Sequence, residues 1–205
     1  MTVEPFYDNI LRIHKASTAE KIQNKITLIQ NALSNKRNEI KALTPTYNNI
    51  GGQRYTILSI LLKKLHLTRI YMFIISLLEK KDQTFAKDPN NKYLVETIWL
   101  DDILDYLPKN KENKKYEKAL MKIDIEGFEP YAFLKAKKLF DNIEVMIIFM
   151  EWGNLPKQVD AYKEINQMID FLLSYNLKPY GNGRSLDKKN WSQWPWDIMW
   201  RKDGY

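Results

Sequence analysis

Acidic and amide side chains follow several short apolar segments of this sequence. Glu4 and Asn31 do so near the N-terminus, and Asp124, Glu126 and Glu151 do so farther along the chain. If the apolar segments are strands of a parallel sheet, these side chains gather at the edge where such sheets bind ligands. A carboxylate there can accept hydrogen bonds from both hydroxyls of a ribose. A carboxylate near Asp124 can lie beside a cation or accept a hydroxyl proton. Strand ends are also acidic simply because they meet solvent, so this pattern alone leaves a nucleotide-like ligand and a solvated edge equally open.

Short apolar segments alternate with amphipathic ones along the chain. Continuous apolar runs predict buried strands, and apolar residues spaced three and four apart predict helices. The predicted strands lie at 2–3, 26–29, 39–43, 95–100, 119–125, 145–150, 177–180 and 197–201, and the main helices at 8–25, 130–140 and 159–175. This order predicts an α/β fold whose parallel sheet is covered by helices on both faces. The last two strands, which no helix separates, predict an antiparallel edge.

Composition restricts the class of protein further. The 205 residues suit a single globular domain at 1–205, and the net charge is +7. Segment 54–76 supplies +4 of that charge, and the lysines of 109–118 are interleaved with Asn and Glu as in a solvated loop. We therefore expect no nucleic-acid partner. The lack of cysteine excludes disulfides and thiolate metal sites and, if it indicates any compartment, favours a reducing one such as the cytoplasm. Two isolated histidines give no metal motif, so no metal is predicted.

The most specific motif is LMKIDIEGFEPYAFLKAKKLF at 120–140. It closely resembles the signature of the FkbM family of methyltransferases. Four further pieces fall in that family's order, namely VEPF at 3–6, ITLIQNALSNKRNEI at 26–40, TIWLDDIL at 97–104 and IIFMEW at 147–152. The resemblance implies a Rossmann-like methyltransferase fold and transfer of a methyl group from S-adenosylmethionine, usually to a hydroxyl oxygen of a small-molecule or glycan acceptor.

The resemblance also implies roles for individual residues. Glu4 is expected to bind the ribose hydroxyls of the cofactor, while Asn31, Ala32 and Leu33 border its adenine. Asp124 and Glu126 are expected beside the reacting methyl and the acceptor, with either carboxylate as the base, and Gly127 permits the tight turn after them. Two acidic positions, Glu126 and Glu151, have structural interpretations as well. Glu126 alternatively caps the helix that begins near 130, and Glu151 either contacts the acceptor or pairs with a lysine.

The sequence departs from the family pattern at its start. In the family, a first strand and a glycine-rich cofactor loop precede the ribose motif, whereas only Met1 and Thr2 precede Val3 in this chain. Gly51 and Gly52 follow the wrong strand to replace that loop. We therefore expect the sheet to lack its first strand and glycine loop, and the chain as written to be inactive.

A second departure is the apolar, basic insertion at 54–76, which has no counterpart in the family pattern. The overlapping segment 55–78 contains no Gly or Pro and predicts a helix. The charges of Lys63, Lys64 and Arg69 make it unfavourable as a membrane span. Three interpretations stay open: a surface helix that contacts a membrane or a protein partner, a genuine insertion, and translated intron. The surface-helix interpretation also supplies the alternative function, a non-catalytic methyltransferase-like module that binds through 55–78.

Four tryptophans crowd into the last part of the chain. Trp196 and Trp200 alternate with Ile198, which predicts that both pack into the core from the final strand. Trp191 and Trp194 lie in a polar loop, where an exposed aromatic has less structural reason to be. This pattern predicts that Trp191 and Trp194 form a stacking surface for a sugar or another flat acceptor.

Overall fold

The computed structural model describes residues 1–43, 94–109 and 116–204. Within them the strands are β1 (Thr2–Val3), β2 (Leu28–Ile29), β3 (Ala32–Leu33), β4 (Ile40–Ala42), β5 (Leu94–Ile98), β6 (Lys118–Ile123), β7 (Glu144–Glu151), β8 (Lys178–Gly181), β9 (Arg184–Ser185) and β10 (Asp197–Arg201). The α-helices are α1 (Tyr7–Ala19), α2 (Ile103–Tyr106), α3 (Glu129–Phe133), α4 (Lys137–Asn142) and α5 (Tyr162–Ser174). The insertion at 54–76 and the proposed contact segment 55–78 lie outside the described residues.

The chain divides into two compact units. The N-terminal unit contains residues 2–32 and 38–97, and the C-terminal unit contains Met1, 33–37 and the chain from 98 onward. The strands form three sheets, with the orders β1-β2, β3-β5-β4 and β6-β7-β10-β8-β9. The mixed α/β class is therefore confirmed, but the prediction of one parallel sheet is wrong for the described residues.

The five-stranded sheet is the framework of the C-terminal unit. β6 and β7 run parallel, with Ile123 opposite Met150, so both strands end at the same edge. β10 runs antiparallel to both β7 and β8, which confirms the predicted antiparallel edge. α5 buries Ile165, Met168, Ile169 and Leu172, whose spacing of three and four places them on one helix face.

The N-terminal unit is smaller and its strands are short. β1 and β2 pair in parallel, with Val3 opposite Ile29, and β4 and β5 pair antiparallel. Phe6, Ala32, Leu43 and Val95 form its buried apolar cluster. The helix predicted at 8–25 ends at Ala19, because Lys21 adopts a left-handed backbone with φ of +55° that an α-helix cannot contain.

The helix predicted at 130–140 is broken in two by Asp101. The backbone N–H of Asp101 donates to the carbonyl of Lys135, and Asp101 Oδ1 accepts the N–H of Leu139, at 2.9 Å each. Asp101 thus stabilises the start of α4. Asp102 does act locally, since its Oδ2 accepts the N–H of Trp99 at 2.9 Å, and it also pairs with Arg37.

Among the residues that the structure describes, no helix is long and apolar enough to cross a membrane.

Candidate functional site

The turn after β6 presents the acidic residues of the central motif. Glu126 and Gly127 follow one another with positive φ angles of +57° and +93°. Two successive left-handed residues reverse the chain sharply, and the N–H of Phe128 closes the turn on the carbonyl of Ile125 at 3.2 Å. This conformation confirms the tight turn expected at Gly127 and directs the chain from β6 into α3.

Glu129 supports this turn from inside the protein. Its side chain is almost completely buried, at 1% exposure, and Oε1 accepts the N–H of Ile125 at 2.8 Å. Among the described residues its Oε2 finds no hydrogen-bond partner. Burial raises the pKa of the Glu129 carboxyl from 4.5 to about 7, and the negative charges of Asp124 and Glu151 add to that effect. Glu129 was not among the site residues predicted, although its place between Phe128 and Pro130 in an otherwise apolar stretch is visible in the sequence.

Three carboxylates converge where β6 and β7 end. Carboxylate oxygens of Asp124, Glu126 and Glu151 all lie within 4.8 Å of one another. The parallel register explains the meeting of Asp124 and Glu151, since each directly follows one of the paired residues Ile123 and Met150. The structure therefore brings together three of the residues predicted from the sequence.

The convergence of like charges changes the proton affinity of this carboxylate cluster. Partial burial raises the pKa of Glu151, and a hydrogen bond shared with Asp124 and the charges of Asp124 and Glu126 raise it further. Asn154 Nδ2 donates to Glu151 Oε1 at 3.1 Å, and Lys122 Nζ donates to Asp124 Oδ2 at 3.1 Å. The arrangement can therefore attract a cation, accept hydroxyl protons or hold a transferred proton.

Carboxylate oxygens at this spacing are also ligands that hard divalent cations use. Acidic clusters at exposed strand ends are common without a metal, so we assign none, and the expected absence of a metal stays a prediction.

Gly127 is the residue of the turn that is most sensitive to substitution. A Cβ at this position would overlap the side-chain amide of Gln158, whose Nε2 donates to the Gly127 carbonyl at 3.2 Å. The φ of +93° is strained for any other residue. We expect Gly127→Ala to lower the free energy of unfolding by about 1–3 kcal/mol, measured by urea denaturation. Gly183→Ala is the matched control, because Gly183 also has positive φ but a Cβ there meets nothing within 4 Å. Equal losses in the two variants would show that the contact with Gln158 contributes nothing.

In the N-terminal unit, two of the predicted cofactor residues, Glu4 and Asn31, lie at the ends of paired strands. Glu4 follows β1, and Asn31 lies two residues beyond the end of β2. Both already make local contacts: Glu4 Oε1 accepts the N–H of Phe6 at 2.9 Å, and Asn31 Nδ2 donates to the carbonyl of Glu96 at 3.0 Å. The carboxylate of Glu4 retains further acceptor capacity for hydroxyl groups.

The family resemblance places Ala32 and Leu33 at the border of an adenine. They form β3, which was not among the predicted strands, and both are buried, at 1% and 8% exposure. Their contact with a cofactor stays a prediction.

The tryptophans of the last loop are arranged opposite to expectation. Trp191 and Trp194 are buried, at 9% and 7% exposure, while Trp196 is 52% exposed and Trp200 is fully buried. Trp194 lies 4.6 Å from Trp152 between ring centroids, and Trp152 Nε1 donates to the Trp191 carbonyl at 2.8 Å. The exposure predicted for Trp191 and Trp194 is therefore wrong, as is the core position predicted for Trp196, whereas the core position predicted for Trp200 is confirmed. Contact of Trp191 and Trp194 with an acceptor stays a prediction.

Comparison with known proteins identifies the class. The family described as Methyltransferase FkbM domain matches residues 2–179, which include the N-terminal unit and the C-terminal unit as far as residue 179. The chain therefore belongs to the FkbM methyltransferase family, as the resemblance in the sequence predicted. No curated protein and no solved structure matches the chain significantly.

Proposed function

We propose that this protein transfers a methyl group from S-adenosylmethionine to a hydroxyl oxygen of an acceptor at the Asp124–Glu126–Glu151 carboxylate cluster. The observation that carries the proposal is the convergence of these three carboxylates at the ends of two parallel strands, in a chain of the FkbM methyltransferase family. Ligands of open α/β folds bind at this edge. In a methyltransferase, the groups at this edge must attract the sulfonium of the cofactor and receive the hydroxyl proton of the acceptor.

The chemistry of the side chains fits this cofactor. S-adenosylmethionine carries a methyl group on a positively charged sulfur, which already activates that methyl for transfer. Asp124 and Glu126 would lie near the charge, because carboxylates that converge within 4.8 Å create a negative potential that favours a cation. The family resemblance assigns the ribose hydroxyls to Glu4, and the carboxylate of Glu4 has acceptor capacity beyond its hydrogen bond from the Phe6 N–H.

The carboxylate cluster can also manage the proton of the acceptor. A hydroxyl loses its proton as its oxygen gains a bond to carbon, so a nearby base assists the reaction. The raised pKa of Glu151, caused by partial burial and by Asp124, makes it a better proton acceptor than an ordinary carboxylate. We assign the proton to the hydrogen-bonded pair of Asp124 and Glu151, while Asn154 orients Glu151.

Isothermal titration of two ligands tests the assignments separately. S-adenosylhomocysteine has the same ribose as S-adenosylmethionine but no sulfonium charge. We expect Asp124→Asn to weaken the binding of S-adenosylmethionine about tenfold, a loss of about 1.4 kcal/mol in binding free energy. The affinity for S-adenosylhomocysteine should stay nearly unchanged. Glu4→Gln keeps an oxygen that can accept the Phe6 N–H. It should lower the affinity for both ligands by the same factor, because both carry the ribose.

The matched control for the charge is Asp203→Asn, since Asp203 is an exposed carboxylate that pairs with Lys178 outside the carboxylate cluster. It should change neither affinity. If neither ligand binds, even to a chain that carries the family's first strand and glycine loop before Val3, the proposal is overturned and the alternative is favoured, a non-catalytic module that acts through 55–78. If Asp124→Asn weakens both ligands equally, Asp124 does not face the sulfonium.

A further inference from the structure

Trp196 is a half-exposed indole that the backbone holds in place. Its carbonyl accepts the N–H groups of Trp152 at 2.6 Å and Gly153 at 3.1 Å. Its ring lies so close to Gly153 that a Cβ at that position would overlap ring carbons. The ring is nevertheless 52% exposed. A large aromatic ring held in one position at the surface offers an apolar face that a ligand can cover.

This ring lies at the border of the carboxylate cluster. The next residue, Asp197, pairs with Glu151 across β10 and β7. A chain of side-chain contacts makes the same connection. Lys157 Nζ lies 4.8 Å from the centroid of the Trp196 ring and donates to Asn154 Oδ1 at 3.3 Å. Asn154 in turn donates to Glu151 Oε1 at 3.1 Å. Trp196 and the carboxylate cluster thus belong to one continuous surface.

We propose that Trp196 is a stacking subsite for a sugar ring, which places one of its hydroxyls at the carboxylate cluster. A pyranose has an apolar C–H face that packs on an indole, and hydroxyls around its edge that donate to carboxylates. Carboxylates are chiefly hydrogen-bond acceptors, so the carboxylate cluster suits a ligand rich in O–H donors better than a flat base with few of them. The identity of the sugar as methyl acceptor rests on the proposed function, whereas the stacking contact does not.

Gly153 is part of the same subsite. It has no side chain, which lets the Trp196 ring lie flat against the backbone beside Glu151. Any side chain at 153 would push the ring away from this position. We therefore expect Gly153→Ala to reduce sugar binding although position 153 itself offers no group to the ligand. Lys157 is exposed, so its flexible chain can move aside when a sugar covers the ring.

Nuclear magnetic resonance of the indole N–H groups tests the subsite directly. The chain has six tryptophans, so it gives six such signals, and the signal lost in Trp196→Phe identifies Trp196. The probes are the methyl pyranosides of glucose, galactose, mannose and fucose, without any methyl donor. We expect at least one of them to shift the Trp196 signal with a Kd of about 1–10 mM, and the buried tryptophans to shift little.

Two substitutions control this experiment. Trp196→Ala should weaken binding of the same sugar at least about tenfold, as followed by saturation transfer to the sugar protons. Tyr106→Ala should have no effect, because Tyr106 is an exposed aromatic residue elsewhere in the C-terminal unit, at 47% exposure. The proposal is overturned if none of the four sugars shifts the Trp196 signal, or if Trp196→Ala binds as the unaltered chain does.

The outcome is independent of the test of the proposed function. Binding of S-adenosylmethionine without a sugar response at Trp196 would reject only the subsite. A sugar response at Trp196 in a chain that does not bind S-adenosylmethionine would reject the methyl transfer and leave a carbohydrate-binding surface.

Discussion

Replacing Trp194 with alanine is expected to lower the free energy of unfolding by about 3–5 kcal/mol, the cost of removing a large buried aromatic. Its ring lies 4.6 Å from Trp152 and 5.6 Å from Trp200 between centroids, and its Nε1 donates to the carbonyl of Asp187 at 3.0 Å. The substitution therefore leaves a cavity among aromatic rings and removes one of two hydrogen bonds to the Asp187 carbonyl, which still accepts the N–H of Asn190. Urea denaturation followed by far-ultraviolet circular dichroism measures the loss without depending on tryptophan fluorescence.

The matched control is Trp196→Ala, two residues away in the same sequence. Trp196 is half exposed, so its removal should cost no more than about 1 kcal/mol. The two variants distinguish the structure from the sequence pattern, because the pattern alone predicted that Trp196 is buried and Trp194 exposed, and therefore a larger loss of stability for Trp196→Ala. Comparable losses in the two variants would contradict the burial that distinguishes them.

The difference between these tryptophans shows what a local pattern can predict. The strand at 197–201 was predicted with the bounds it has, because Ile198 and Trp200 alternate with more exposed residues inside one element. Trp196 stands before the strand begins, so the alternation does not include it. Trp191 and Trp194 are buried because Trp152, distant in sequence, packs against both rings. No pattern within the loop contains that information.

Helices follow the same distinction. α5 was predicted within three residues at each end, since its buried face follows the helical period without interruption. The segment 130–140 has a helical pattern as well, but Asp101 supplies hydrogen bonds that divide it after Phe133. The division depends on a partner about thirty-five residues earlier, and helical periodicity cannot reveal it.

The candidate site was predicted in part for a similar reason. Asp124, Glu126 and Glu151 could be placed together from the sequence, because parallel strands bring their carboxyl ends to one edge. The family resemblance added Glu4 and Asn31, which do follow paired strands. Glu129 was missed because its role depends on burial and on one hydrogen bond to the turn, and neither property follows from residue spacing.

Replacing Glu129 with glutamine is expected to stabilise the protein in a pH-dependent manner. The folded state raises the pKa of Glu129 from 4.5 to about 7, chiefly because burial disfavours the charged form. Between these values the folded state binds more protons than the unfolded state, so the contribution of Glu129 to stability falls as the pH rises. The contribution is fully favourable below about pH 4.5 and fully lost above about pH 7, where the cost of the buried charge is on the order of 3 kcal/mol.

Glutamine is the informative substitution because it is neutral at every pH and still offers an oxygen to the N–H of Ile125. We expect Glu129→Gln and the unaltered chain to unfold with similar free energies at pH 4.5, and the variant to be more stable by about 3 kcal/mol at pH 8. The other carboxylates titrate in both proteins, so their effects largely cancel in the difference. Glu117→Gln, at an exposed carboxylate, should show no such trend. A difference between Glu129→Gln and the unaltered chain that is the same at both pH values would mean that folding leaves the pKa of Glu129 near 4.5. The charged Oε2 would then need a cation or another donor at pH 8.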